Sequence, residues 1–291
     1  MMKIDKEVGD IAYNDELHKY WSKSKRRVYT SVTTLIGMYH EKFDKAYWLP
    51  YKALQSIVPK IISKDEWIKA NRTYKKDKNG KSNPMLKYLR KLAGEDAYHA
   101  AVKAIDGQWS DTNKAACDRG SIIHKSREDA YMAAGSHLLD DKVYVLGTDH
   151  KLDLEDGIYP ELLMYDAEYL ISGQADRVIK EGRYVDIHDY KTNKKLDRES
   201  YLDKVTGQRR VMMKPVDYLM DCNMIHYYLQ LSLYAWILER QGFIPRKLTI
   251  EHIDHDGKVT FIDVPYLKAE IVALTAHWKR YKMNKLENYV Q

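Results

Sequence analysis

A chain of 291 residues with 44% hydrophobic side chains carries enough apolar material for one large domain or two small ones. With only two cysteines, Cys117 and Cys222, it excludes a disulfide framework, a four-cysteine zinc site and a four-cysteine iron–sulfur cluster within the chain. The net charge of +6, from 48 Lys and Arg against 42 Asp and Glu, is a mild excess that matters only where it is clustered. No apolar run approaches the roughly 18 residues of a membrane span, and "MMKIDKEVGD" has neither a signal-peptide core nor the Arg-rich pattern of a transit peptide. A cytoplasmic protein without membrane association is expected.

At the N-terminus "IAYNDELHKYW" and "RRVYTSVTTLI" are rich in β-branched and aromatic residues and predict two strands around the Lys-rich turn "SKSK". From Asp44 to about Asp106 the apolar spacing becomes helical, interrupted by the loop "KKDKNGKSNP". Its Gly80-Lys81-Ser82 is not a phosphate-binding loop, because Lys75 stands where the first glycine is needed. Two tracts concentrate the positive charge. Tyr74 to Lys91 has seven Lys and Arg against Asp77 alone, and His18 to Arg27 has five and no acid. Both interleave aromatic residues, a composition suited to phosphate contacts and base stacking and equally to a solvated face.

A helix is expected from about Thr112 to Ala134, then a strand-rich centre, Tyr159 to Lys191, and a polar, basic stretch, Thr192 to Asp221. The apolar "NMIHYYLQLSLYAWILERQ" predicts a buried helix. "KLTIEHIDHDGKVTFIDV" predicts a hairpin turning at Asp-Gly, and a Lys-rich amphipathic helix follows. Strands flanked by long helices give an α/β fold: a mixed central β-sheet flanked by helices, with a largely helical N-terminal lobe. One domain is expected over 1–291, divided into a lobe at 1–111 and a core at 112–291.

The segment "GQADRVIKEGRYVDIHDYKTNKK" holds three aspartates, and strand alternation ranks them. A reversal at Glu181-Gly182 sets Asp176 opposite Ile187 and Gln174 opposite Asp189. Ile187, Asp189 and Lys191 then share a face, which Asp176 joins as the diagonal neighbour of Asp189, while Asp186, His188 and Tyr190 point away. A three-residue loop would put Asp176 on the opposite face. Two carboxylates this close repel unless a cation lies between them, and a hard divalent ion is the natural occupant. Lys191 would lie beside a metal-bound water, able to orient it, take its proton or stabilise charge developing at phosphorus.

On the preceding helix, Gly120 and His124 stack one turn apart with Cys117 and Tyr131 beside them, and the small residue would let the helix approach the sheet. His137, His150, His188 and His255 are less well placed. Gln230 and Tyr234, one turn apart on the apolar helix, need polar partners if buried; these could be backbone near the strands or a phosphate chain.

In chain order, "GSIIH" (Gly120 to His124), "GQAD" (Gly173 to Asp176), "DYK" (Asp189 to Lys191) and "QLSLY" (Gln230 to Tyr234) resemble the PD-(D/E)XK nuclease superfamily. The resemblance is to its RecB-like clade, which shows G-x-x-x-H, G-x-x-D, D-Y-K and Q-x-x-x-Y. Val28 to Trp48, "VYTSVTTLIGMYHEKFDKAYW", is also similar to the opening of phage-type and mitochondrial-maintenance-type exonucleases of this clade.

The resemblance implies a restriction-endonuclease-like core in which His124, Asp176, Asp189 and the backbone carbonyl of Tyr190 bind Mg2+ or Mn2+. Lys191 would serve the attacking water, Gln230 and Tyr234 would position the active strand or the DNA backbone, and Glu161 would add a further carboxylate. Ala175 stands where the superfamily's proline would be, as is usual in this clade. The cysteines that hold an iron–sulfur cluster in some relatives are missing, so no cluster is expected, and no helicase motor is present.

The expected activity is metal-dependent exonucleolytic hydrolysis of DNA, on single strands or ends, in phage or bacterial recombination, replication or repair. A single-strand-binding or recombination partner is expected in a bacterial cytoplasm. The basic N-terminal lobe would cover the strand, and the tract Lys194 to Lys214 would hold the duplex or form a solvated loop. The alternatives are a structure-specific endonuclease, an RNA-directed enzyme, or a nucleic-acid-binding module with a silent site.

Overall fold

The computed structural model describes residues 6–8, 11–14, 17, 19–22, 27–57, 62–76, 84–133, 154–203 and 207–287. The parts of the basic tracts at 23–26 and 77–83, and His18, His137 and His150, lie outside these residues. Residues 1–41 and 120–291 form one compact unit and residues 42–119 a second.

The first unit is built on a mixed sheet. A short strand β1 (Lys6–Val8) pairs antiparallel with β2 (Ile11–Asn14), β2 with β3 (Lys19–Ser22), and β3 with β4 (Val28–Ser31). The sequence "IAYNDELHKYW" is therefore itself a hairpin, where a single strand was expected. "VTTLI" is not strand either. It forms the helix α1 (Val32–Ile36), because Ser31 Oγ accepts the Thr34 N–H at 3.1 Å and caps it, overriding the β-preference of Val, Thr and Ile.

β5 (Gly157–Asp166), β6 (Ile171–Glu181) and β7 (Tyr184–Lys191) form the expected antiparallel centre. β7 then pairs in parallel with β8 (Ile244–Ile253), which turns back into β9 (Val259–Asp263). The helix α6 (Asn223–Arg240) crosses this sheet between β7 and β8, supplying the crossover that a parallel pair requires. Leu229, Leu231, Leu233, Ala235, Ile237 and Leu238 are all fully buried, so α6 is apolar around its whole circumference. A last helix, α7 (Lys268–Glu287), contributes Ile271, Leu274 and Trp278 to the same core. No helix among the described residues is long and apolar enough to cross a membrane.

The second unit contains α2 (Lys45–Ile57), α3 (Lys64–Lys76), α4 (Pro84–Ala93) and the first part of α5 (Glu95–Ala133). Tyr51, Leu54, Ala70, Leu89 and Tyr98 make its own small core. Arg90 lies 4.4 Å from the centre of the Tyr98 ring and 2.6 Å from Glu95 Oε2. The helix expected from Thr112 begins at Glu95 and runs 39 residues through Gly107, so the lobe boundary expected at 111/112 falls inside it. A single glycine costs a helix only about 1 kcal/mol, too little to end one this long.

The hairpin register also differs from the expected one. The turn is Gly182-Arg183, with Gly182 in the left-handed region (φ +58°), so Val178 faces Ile187 and Arg177 faces His188. Two residues at the tip form the tightest hairpin connection, and glycine takes the positive φ without steric cost.

Candidate metal centre

The pairing pattern opens the sheet at one place. β5 runs along the whole of one edge of β6, from Ile171 to Lys180. The other edge is shared: β4 pairs in parallel with Ile171 and Ser172, and β7 pairs with Arg177 to Glu181. Gly173, Gln174, Ala175 and Asp176 lie between these two partners, at a fork. There Asp176 Oδ2 accepts the Tyr190 N–H at 2.5 Å, so a side chain completes what the backbone ladder leaves open. The two strands thus meet through Asp176 itself, not through the diagonal pairing expected from the earlier register.

On β7, Val185, Ile187 and Asp189 are buried and Asp186 and His188 less so, as period-two alternation requires. Asp189 extends an apolar row to the end of the sheet and is only 1% exposed. Its Oδ1 accepts from Gln230 Nε2 at 3.1 Å, and the same amide donates to the Tyr234 hydroxyl at 3.1 Å. Its Oδ2 is ion-paired with Lys191 and otherwise has no hydrogen-bond partner. Burial pushes the Asp189 carboxyl up, Lys191 pulls it back, and Asp176 pushes it up again. Burial would lower the Lys191 pKa, but the attraction of Asp189 and Asp176 outweighs it, so Lys191 is held as the ammonium.

His124 comes to the fork from α5. Its Nδ1 is 3.4 Å from Asp176 Oδ1 and 3.8 Å from Glu161 Oε1, and its ring meets Tyr190 edge-on at 5.5 Å. Burial opposes its charging, but the Asp176 and Glu161 carboxylates prevail and raise its pKa to about 10. One ligand atom each from His124, Glu161 and Asp176 lies within 4.8 Å of the others.

Glu161 stands across from Asp176 in the β5–β6 ladder, between the pairs Pro160–Arg177 and Leu162–Ala175, with φ at +51°. A left-handed glutamate inside a strand costs about 1–2 kcal/mol. It breaks the alternation of β5 at the site itself, and Gln174 Nε2 donates to its Oε2 at 2.5 Å.

The glycines of the two motifs play unequal parts. A Cβ on Gly173 would lie 2.6 Å from Tyr234 Cε1 and 3.0 Å from Val32 Cγ2, so only glycine lets α6 and α1 close on β6. A Cβ on Gly120 would meet Thr192 Oγ1 at an ordinary 3.7 Å. The approach of α5 therefore does not demand glycine there, contrary to the expectation from helix spacing.

His124 and Glu161 line an open pocket of about 400 Å3 together with Ser31, Thr33, Ser121 and Gln174, and with Asp176 they form a donor set of two carboxylates and one imidazole. Such a set fits a hard divalent cation such as Mg2+ or Mn2+, and the buried Asp189 carboxylate, its Oδ2 ion-paired with Lys191, stands beside it. His124, Glu161 and Asp176 converge directly. Asp189 is held beside them by Lys191 and Gln230, with Tyr234 behind Gln230.

Tyr227 also belongs to the site, although no local pattern in the sequence distinguishes it. Its ring lies 4.7 Å from Lys191 Nζ, and its hydroxyl donates to Asn193 Oδ1 at 2.7 Å. Among the many apolar and aromatic residues of α6 nothing marked it out, since only the crossing angle of α6 puts it under Lys191. His188 faces away from Asp189, with its Nδ1 2.7 Å from an Arg177 nitrogen, and His255 lies in the β8–β9 turn.

No protein-family model matches the chain, and no curated protein matches it. Among solved structures it is matched to one described as the crystal structure of SSO0001, at 14% identity over 81% of this chain and 85% of that one, with a TM-score of 0.29.

Proposed function

We propose that the chain is a metal-dependent deoxyribonuclease that hydrolyses phosphodiester bonds exonucleolytically, on single strands or DNA ends. The observation that carries this reading is the fork: His124, Glu161 and Asp176 converge there while the buried Asp189–Lys191 pair flanks them. The ordered resemblance of the four motifs to RecB-like nucleases supports the choice of reaction.

His124, Glu161, Asp176 and Asp189 would hold Mg2+ or Mn2+, which when bound supplies Lewis acidity and lowers the pKa of bound water. Gln230 fixes the rotamer of Asp189 through Oδ1, and Tyr234 fixes Gln230. Lys191, held as the ammonium, is suited to stabilising negative charge developing on the phosphoryl group more than to taking a proton. The substrate class rests on the motif resemblance and on the clustering of Lys and Arg in the sequence. A setting in phage or bacterial recombination, replication or repair, with a single-strand-binding or recombination partner, belongs to the same proposal.

The test is digestion of 5′-labelled, 3′-labelled and circular DNA by the parent and by Asp189→Ala and Lys191→Ala, with and without Mg2+ or Mn2+. Digestion of linear DNA only, needing metal and lost in both variants while DNA binding persists, supports the proposal. Cleavage of closed single-stranded circles would replace exonuclease by endonuclease. Parent-like digestion by both variants removes the site assignment. Metal-independent binding without hydrolysis by the parent would leave a silent binding module.

A further inference from the structure

A second set of ligands lies outside the fork. His40 follows α1, Asp221 ends the irregular stretch after β7, and His226 sits in the first turn of α6. One ligand atom from each falls within 4.8 Å of the others. His226 Nε2 is 2.8 Å from Asp221 Oδ1, and the rings of His40 and His226 stack with centres 4.5 Å apart.

Several features distinguish this cluster from a surface pair. The Asp221 side chain is only 5% exposed, and while its Oδ1 meets His226, its Oδ2 is buried with no hydrogen-bond partner. A buried carboxylate oxygen left without a donor is costly, and a cation is one of the few groups that relieves it. His40 Nδ1 is 3.2 Å from the Glu41 carbonyl oxygen, which places the proton on Nδ1 and leaves Nε2 with its lone pair.

The backbone around the cluster is fixed. The Tyr39 carbonyl accepts the Met213 N–H at 2.6 Å, the buried Tyr39 hydroxyl bonds His277 Nδ1 at 3.0 Å, and the Asp221 N–H donates to the Arg210 carbonyl at 3.1 Å.

We infer that His40, Asp221 and His226 form a second cation site, selective for a nitrogen-seeking divalent ion of the Zn2+ or Co2+ type. Two imidazoles and one carboxylate are the donor set such ions favour over Mg2+, and three protein ligands leave a position for water. An ion there would tie the segment leaving α1 and the end of the irregular stretch to the first turn of α6. Gln230 lies one helical turn beyond His226, so the clamp would steady the helix that positions Asp189. The inference stands independently of the proposed nuclease activity.

The test uses the full chain carrying Glu161→Gln and Asp176→Asn, which removes two carboxylates of the fork, stripped of metal and titrated with CoCl2 while visible d–d absorption is recorded. The expected result is one saturable equivalent, displaced by Zn2+, together with a rise in melting temperature on adding Zn2+. Both should be lost on adding His40→Ala and weakened on adding Asp221→Asn, which keeps the side-chain shape. His40 lies in the bend that follows α1, outside helix and strand, so its variant should keep a native far-ultraviolet circular dichroism spectrum, recorded alongside to separate loss of binding from unfolding. No saturable absorption, or a titration that His40→Ala and Asp221→Asn leave unchanged, overturns the inference and leaves the cluster as a stacked, hydrogen-bonded pair.

Discussion

Replacing Gly173 by alanine tests whether the fork is closed by contact between β6 and α6. In an open strand the change would stabilise the protein by about 0.4–1 kcal/mol, because alanine restricts the unfolded chain and Gly173 has no positive φ to lose. Here the new methyl would lie 2.6 Å from Tyr234 Cε1, 3.2 Å from Tyr234 Cδ1 and 3.0 Å from Val32 Cγ2. Neither neighbour is a loose surface chain, since Tyr234 is 3% and Val32 1% exposed.

Overpacking of this kind costs about 1–3 kcal/mol, so the clash outweighs the entropic gain. The net loss should be about 1–2 kcal/mol, which corresponds to a melting temperature about 2–8 °C lower for a unit of this size. A shift of the Tyr234 ring also disturbs its bond to Gln230 and hence the support of Asp189. The assay is thermal unfolding of Gly173→Ala, Tyr234→Ala and the double variant. With the ring gone, the methyl should cost less than half of what it costs in the parent. Equal costs in both backgrounds, or a more stable Gly173→Ala, would show that Tyr234 does not close against Gly173.

Glu161→Gly should separate strain from ligation: relief of the left-handed backbone stabilises the metal-free protein by about 1 kcal/mol, while Mn2+ affinity measured by calorimetry falls. A lower melting temperature without metal would show that φ +51° carries no strain. Gln230→Leu strips Asp189 Oδ1 of its donor and should cost about 1–3 kcal/mol in chemical denaturation, with loss of metal-dependent DNA digestion; an unchanged midpoint would contradict the role assigned to the amide.

His188 gives a pH dependence. Burial, aided by Arg177, lowers its pKa to about 4 from the ordinary 6.5, so the unfolded chain binds more protons between those values. Its contribution to stability is complete above about pH 6.5 and is lost as pH falls towards 4. His188→Gln keeps an acceptor for Arg177 but cannot titrate, and should flatten this limb of the melting temperature against pH; an identical slope would exclude His188 as its source.

Elements whose signals are local can be read from the amino-acid order alone. The buried helix α6 is legible because its apolar residues surround the axis, and β7 because Val185, Ile187 and Asp189 alternate with less buried neighbours. The α/β class follows from that order of strands and helices. Asp189, Lys191, Gln230 and His124 could be picked out as candidates because alternation and helical spacing place each relative to its own element.

What lies between elements emerges from long-range packing. One capping hydroxyl, Ser31, turned an apparent strand into α1, and a glycine turn moved the hairpin register. The fork that exposes Asp176 exists because β4 and β7 share one edge of β6, a pairing no local pattern encodes. Burial, and with it the altered acidity of His124, Asp189 and His188, comes from neighbours distant in sequence, as does the meeting of His40, Asp221 and His226. Period and propensity act over a few residues, whereas ligand convergence is set by how whole strands and helices pack.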